Sequence, residues 1–121
     1  EKAASETGIE LEEMQRSEEL LACSADLGLT AGYIETANGI VALSVGEVVD
    51  DTLYVHVEKA KASCPGAYQA IVSEFTKNAA QADTLYCNRE DDSGEEGLRT
   101  SKLAYQPIRL VDKYWVTVTR E

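Results

Sequence analysis

The chain is poor in the residues that carry most protein chemistry. Among 121 residues there is one histidine, one tryptophan, one phenylalanine and one methionine. A lone histidine, His56, with no serine in a GxSxG elbow and no paired cysteine leaves the sequence without a legible nucleophile and base. Three cysteines, Cys23, Cys64 and Cys87, fall in no CxxC or Cys/His spacing, which excludes a cysteine-rich zinc site. The glycine-containing stretches GLTAG and SGEEG lack the lysine and the strand-to-helix context of a phosphate loop. No apolar run approaches the roughly 18 residues of a membrane span. On these absences the chain is expected to be no enzyme, and no cofactor or metal is expected.

Bases are the other scarcity. Eleven Lys and Arg face 22 acids, a formal net charge of −11. The imbalance is uneven: residues 1–97 hold 20 acids and 6 bases, residues 98–121 hold 2 acids and 5 bases. A surface of this sign repels nucleic acid and anionic membranes and steers cationic partners inward, so neither nucleic acid nor membrane is expected as a partner. The opening residues EKAASETG are small and polar, as a mature N-terminus looks after a leader is removed. A periplasmic or secreted location is the expectation, with the cytoplasm left open.

What is present describes an α+β domain: two or three helices packed on an antiparallel sheet that ends in a C-terminal β-hairpin. A 44% apolar content over 121 residues suits one domain with its own core. Residues 1–7 are expected to be flexible. Thr7 and Glu10 have capping-box spacing and open a helix over about 8–27, with Gly28 at its stop. Residues 30–49 are ambiguous. Tyr33, Ile34, Ala37, Ile40, Val41, Val45 and Val48 have helical spacing, whereas Asn38-Gly39 between apolar runs is a hairpin signal. The spacing favours helix. Leu53, Val55 and Val57 alternate with Tyr54, His56 and Glu58, which reads as a strand or as a helix with poor formers. Cys64-Pro65-Gly66 marks a boundary, after which Tyr68, Ile71, Val72, Phe75, Ala79 and Ala82 form the apolar stripe of a core helix. Residues 83–88 read as a short strand. At the end, Leu103, Tyr105, Ile108, Leu110 and Val111, then the period-two run from Tyr114 to Thr119, predict the hairpin, with Asp112 and Lys113 in its turn.

Three disulfide pairings are open to three cysteines. Cys64 and Cys87 bracket the core helix and the strand after it, so they are the candidate pair, closing a loop whose constraint would stabilise by roughly 3 kcal/mol. The odd thiol and an exposed hairpin edge leave a homodimer possible.

The feature that suggests function is the stretch 89–97, REDDSGEEG, an exposed acidic loop. It does not have the ligand spacing of a calcium loop. Glu90, Asp91, Asp92, Glu95 and Glu96, with Asp50 and Asp51, can present carboxylates to arginines and lysines, and Tyr86 and Tyr105 can add amphipathic contact area. These residues are the candidate partner-binding set. The expected function is a small acidic binding module that neutralises a cationic protein, in the manner of an inhibitor or immunity protein against a secreted hydrolase or toxin. Two alternatives stand beside it. One is a small-ligand pocket or minor enzyme of cone-shaped α+β fold, lined by Tyr33, Tyr54, His56 or Trp115. The other is an acidic mimic of nucleic acid.

Overall fold

A computed structural model describes residues 8–121, with side chains from residue 15 onward. Residues 1–7, expected to be flexible, lie outside the described residues, as do both side chains of the Thr7–Glu10 capping box. The chain divides into two compact units, one ending at Glu90 and the other beginning at Asp91. Among the described residues the architecture is α+β, with three helices and a four-stranded sheet.

In the first unit α1 (Gly8–Cys23) is followed by β1 (Thr30–Thr36), β2 (Gly39–Val49), β3 (Thr52–Ala60), α2 (Ala67–Ala79) and β4 (Tyr86–Asn88). The strands lie side by side in chain order. β1, β2 and β3 pair antiparallel, and β4 pairs parallel to β3. The sheet is therefore mixed, where an antiparallel one was expected. The cause is α2: a helix between two neighbouring strands returns the chain to its starting end, and that makes the pair parallel.

The helical reading of residues 30–49 is overturned. Thr36 pairs with Gly39 across a tight turn, and Gly39 has φ 101°, a conformation glycine adopts without a Cβ clash. The Asn38-Gly39 signal was the better guide. The β-branched residues and glycines here are weak helix formers, and their spacing suits a pleated sheet as well as a helix.

One face of the sheet carries Ile34, Ala42, Val48, Leu53 and Val55 against α2, which contributes Ala67, Ile71, Phe75 and Ala79. Gly32 belongs to this face too, and its missing side chain leaves room for the Phe75 ring, whose Cδ2 lies 3.3 Å from where a Cβ would sit. Leu43 and Val45, at the intervening positions of β2, are also buried, and α1 lies against β2 and β3. Ile71, Val72, Phe75 and Ala79 of the stripe read from the sequence are thus in the core of the unit, whereas Ala82 lies past the end of α2 and is exposed. α1 ends at Cys23, and the chain leaves it through a turn closed by Leu29 N–H donating to the Ser24 carbonyl at 2.8 Å, with Gly28 at φ 71°.

The register of β2 against β3 slips once. Val45 pairs with Val57 and Gly46 with Val55, so His56 is an extra residue on β3, a β-bulge. Gly46 is required opposite it, because a Cβ there would overlap the Tyr54 carbonyl oxygen. The slip also inverts the alternation downstream. Glu58 pairs with Ser44, on the α2 side, where unbroken alternation from Val55 would have turned it away.

The second unit consists of a turn, α3 (Glu96–Ala104) and a tail. Within residues 106–121 there is no helix or strand. The expected C-terminal hairpin is not formed. Leu103 belongs to the last turn of α3, because EGLRTSKLA is rich in helix formers, and residues 106–121 form no strand. Ile108, Leu110, Tyr114, Trp115, Val116 and Val118 are all exposed, Trp115 completely.

All three cysteines are free thiols. The Cys64–Cys87 bridge fails for a topological reason. Cys87 pairs with Leu53 near the start of β3, while Cys64 lies beyond that strand's end at Ala60. The levels of Leu53 and Ala60 lie opposite Val48 and Ala42, six ladder steps of about 3.3 Å or roughly 20 Å apart, far more than the 4.4–6.8 Å that a disulfide spans between Cα atoms.

Candidate functional site

The bulge puts His56 at the meeting point of two carboxylates. Its Nε2 lies 3.0 Å from Glu47 Oε1, and its Nδ1 lies 2.6 Å from Glu90 Oε1. Glu47 follows Gly46 on β2, and Glu90 arrives two residues after β4 ends. Strands β2 and β3 and the chain after β4 thus converge here, each through one side chain. The group is partly open to solvent, with one third of the imidazole side chain and 41% of each carboxylate side chain exposed. Partial burial works against the charged ring, but the hydrogen bonds to Glu90 and Glu47 outweigh it, and the His56 pKa is raised.

A second cluster lies beside the first. Arg89 Nη2 donates to Glu58 Oε1 at 2.6 Å and to the Tyr68 hydroxyl at 2.9 Å, and the guanidinium carbon stands 5.9 Å from the Tyr68 ring centre. The Arg89 and Glu58 side chains are 16% and 8% exposed, so this ion pair is largely removed from water. Burial pushes the Tyr68 phenol up, against the lowering effect of Arg89. β4 pairs with β3 only over Thr52–Tyr54, and β3 runs on to Ala60. Past Tyr54 the described contacts between β3 and the chain after β4 are made by side chains: Glu58 with Arg89, and His56 with Glu90.

The acids singled out from the sequence fall in different settings. Glu90 belongs to the His56 cluster. Asp50, at φ 55°, and Asp51 form the β2–β3 turn. The Asp51 carbonyl accepts the N–H groups of Leu85 (2.8 Å) and Tyr86 (3.1 Å), and its carboxylate accepts the Thr52 hydroxyl at 2.9 Å. Tyr86 is therefore next to this turn, about half exposed. In the second unit Asp91 accepts Lys113 Nζ through its carboxylate and Lys102 Nζ through its carbonyl, each at 2.5 Å. Asp92 accepts Arg99 Nε at 2.5 Å and the Gly94 N–H at 2.9 Å. Those bonds pull its carboxyl down to about 2, the Arg99 bond most strongly. Glu95 is the N-cap of α3, Glu96 sits in its first turn, and Tyr105 is its C-cap.

Glu47, Glu58, Tyr68 and Arg89 were not legible as site residues. Glu58 and Arg89 are 31 residues apart, and the bulge that turns Glu58 toward α2 breaks the alternation on which strand reading depends. One signal was available: Gly46-Glu47 and His56 lie in two valine-rich strands, and a glycine in a strand marks a bulge or a close backbone approach.

The fold and the cluster define an α+β domain with an anionic, histidine-centred site. Residues 2–117 match the family described as phosphatidylglycerol lysyltransferase, C-terminal. The chain belongs to that family. It is also similar to a solved structure from Bacteroides thetaiotaomicron VPI-5482, described as a conserved protein of unknown function, at 40% identity and a TM-score of 0.71. The match covers 81% of this chain and 33% of that one, so the chain spans about a third of that protein's length. No curated protein matches the chain. The comparisons lend no support to an inhibitor or immunity role. Among the described residues no helix is long and apolar enough to cross a membrane.

Proposed function

We propose that this domain serves aminoacyl transfer by binding the cationic lysyl group of the donor at the Glu47–His56–Glu90 cluster. The observation that carries the reading is a pair of partly exposed carboxylates clamped on one histidine, in a chain whose family is named for lysyl transfer. A lysyl ester bears ammonium groups, each a three-proton donor, and a carboxylate accepts several hydrogen bonds, so two carboxylates that share an imidazole can also take an ammonium. Holding the acyl group by its charged end fixes its carbonyl for attack by an acceptor hydroxyl, which is the positioning contribution to transfer. A net charge of −11 opposes broad adsorption to an anionic lipid. The part assigned to the first unit is therefore with the lysyl group.

The cluster also makes binding depend on pH. With the imidazole protonated the three groups sum to one negative charge; with it neutral, to two. The His56 pKa is raised, so ammonium binding strengthens as pH rises through that raised value. Lysinamide, followed by NMR on the His56 ring signals, tests this. It should bind more tightly at pH 8 than at pH 6, more tightly than norleucinamide, and about tenfold more weakly to Glu90→Gln. Equal binding of lysinamide and norleucinamide, or no loss in Glu90→Gln, would remove the lysyl assignment.

A further inference from the structure

Arg89 and Glu90 are consecutive, and their side chains part to different partners. The Arg89 guanidinium goes to Glu58 and Tyr68 on the α2 side, and the Glu90 carboxylate goes to His56. Between them the backbone is unusual. Glu90 has φ 60°, a left-handed conformation that side-chain-bearing residues seldom adopt unless their surroundings impose it. Two restraints are visible. The Asn88 carboxamide oxygen accepts the Glu90 N–H at 2.8 Å, and the guanidinium one residue earlier is held by a carboxylate and a phenol. The ladder to β3 ends at Asn88, so sheet pairing does not place these two residues.

We propose that the partly buried Arg89–Glu58–Tyr68 cluster is a positioning latch that holds the Glu90 carboxylate against His56. Glu58 can serve in it only because the bulge at His56 turns Glu58 toward α2, so one inserted residue supplies both the ring and the anchor for its partner. The charged groups facing His56 are Glu47 from β2 and Glu90 from the chain after β4. With Glu47 anchored in a continuous strand, the adjustable distance is that to Glu90. Arg89, Glu58 and Tyr68 are positioning residues: they act on the site through Glu90. The consequence for lysyl binding rests on the function proposed above; the latch itself does not.

The test is the NMR titration of the single histidine. Arg89→Lys keeps the charge and loses the planar fork, and Tyr68→Phe keeps the ring and loses one hydrogen bond. Each should lower the His56 proton affinity, by about threefold for Arg89→Lys and less for Tyr68→Phe, which is up to roughly half a pH unit. Glu90→Gln should lower it more, and in that background Arg89→Lys should add nothing. Amide spectra that match the parent protein establish that each variant is folded, and Tyr68→Phe carries the test if Arg89→Lys does not fold. An unchanged titration in a folded latch variant, or the same shift with and without Glu90, would overturn the latch. A latch that passes while lysinamide affinity is unmoved would leave the latch standing and sink the lysyl reading.

Discussion

The two units use the same apolar vocabulary and reach opposite outcomes. In the first, alternating valines and leucines on β2 and β3 are buried, with Val45 and Leu53 fully removed from water. In the second, Tyr114-Trp115-Val116-Thr117-Val118 alternates as regularly, yet Val118 is 88% exposed and no strand forms. What separates them is partnership. β2 has a neighbour on both edges and α2 against one face, whereas residues 106–121 form no strand. Period-two alternation describes a strand's capacity to be half buried; a ladder and a covering layer make it one.

The largest effect should come where the first unit is tightest. Gly46→Val drives a side chain into the Tyr54 carbonyl, which belongs to backbone and cannot yield cheaply. We expect a loss of about 3 kcal/mol or more in urea unfolding of the first unit, and loss of the bulge with it. A loss under about 1 kcal/mol would mean that the β2–β3 register adjusts and that the bulge is not imposed at Gly46.

An intermediate effect belongs to the start of the second unit. The Asp92 carboxyl is held near 2, well below its ordinary value, by Arg99 and by the Gly94 N–H. A depressed carboxyl stabilises the folded state fully above its unfolded value and loses that contribution as pH falls through the folded one. The N-terminal amides of α3 should therefore keep their folded chemical shifts at pH 5 and lose them between pH 4 and 2, and Asp92→Asn should move them at pH 7. An α3 whose signals hold unchanged to pH 2 would contradict a tie between the Asp92–Arg99 pair and the order of the helix start.

The smallest effect should be Trp115→Ala. A side chain wholly exposed in the folded state has little to lose, so unfolding stability should change by less than about 0.5 kcal/mol, and in the parent protein the emission of Trp115 should be solvent-like before and after unfolding. A larger loss would mean that the tail is partnered in solution and that the contrast between the units is overstated.

The sequence carried the parts of the fold that local pattern controls. α2 was legible because Ile71, Phe75 and Ala79 repeat at helical steps and face a single layer. β3 was legible from its alternation up to Val55. Residues 30–49 misled because the spacing of Tyr33, Ile34, Ala37, Ile40, Val41, Val45 and Val48 suits a helix, while Gly32, Gly39 and Gly46 serve three separate sheet tasks: clearance for Phe75, a turn and a bulge. The C-terminal hairpin misled because alternation does not say whether a partner strand exists. The site was the least legible part. Glu90 was singled out as one acid of a loop, and its meeting with His56 across 34 residues depends on a parallel crossover and a bulge, neither of which is a local pattern.

The brevity of β4 bears on how the protein comes into being. β1, β2 and β3 are joined by tight turns and can zip together locally, whereas β4 attaches by three residue pairs after a crossover through α2. Closing that longer loop costs chain entropy before it returns any contact, so β4 is expected to pair after the β1–β3 hairpins. Glu90 travels with it. The histidine is thus in place on a formed hairpin before its second carboxylate reaches it, and slow exchange of the β2–β3 amides can coexist with transient opening at Tyr86–Glu90. Such a molecule can lose and regain its charged centre many times during the lifetime of one folded core.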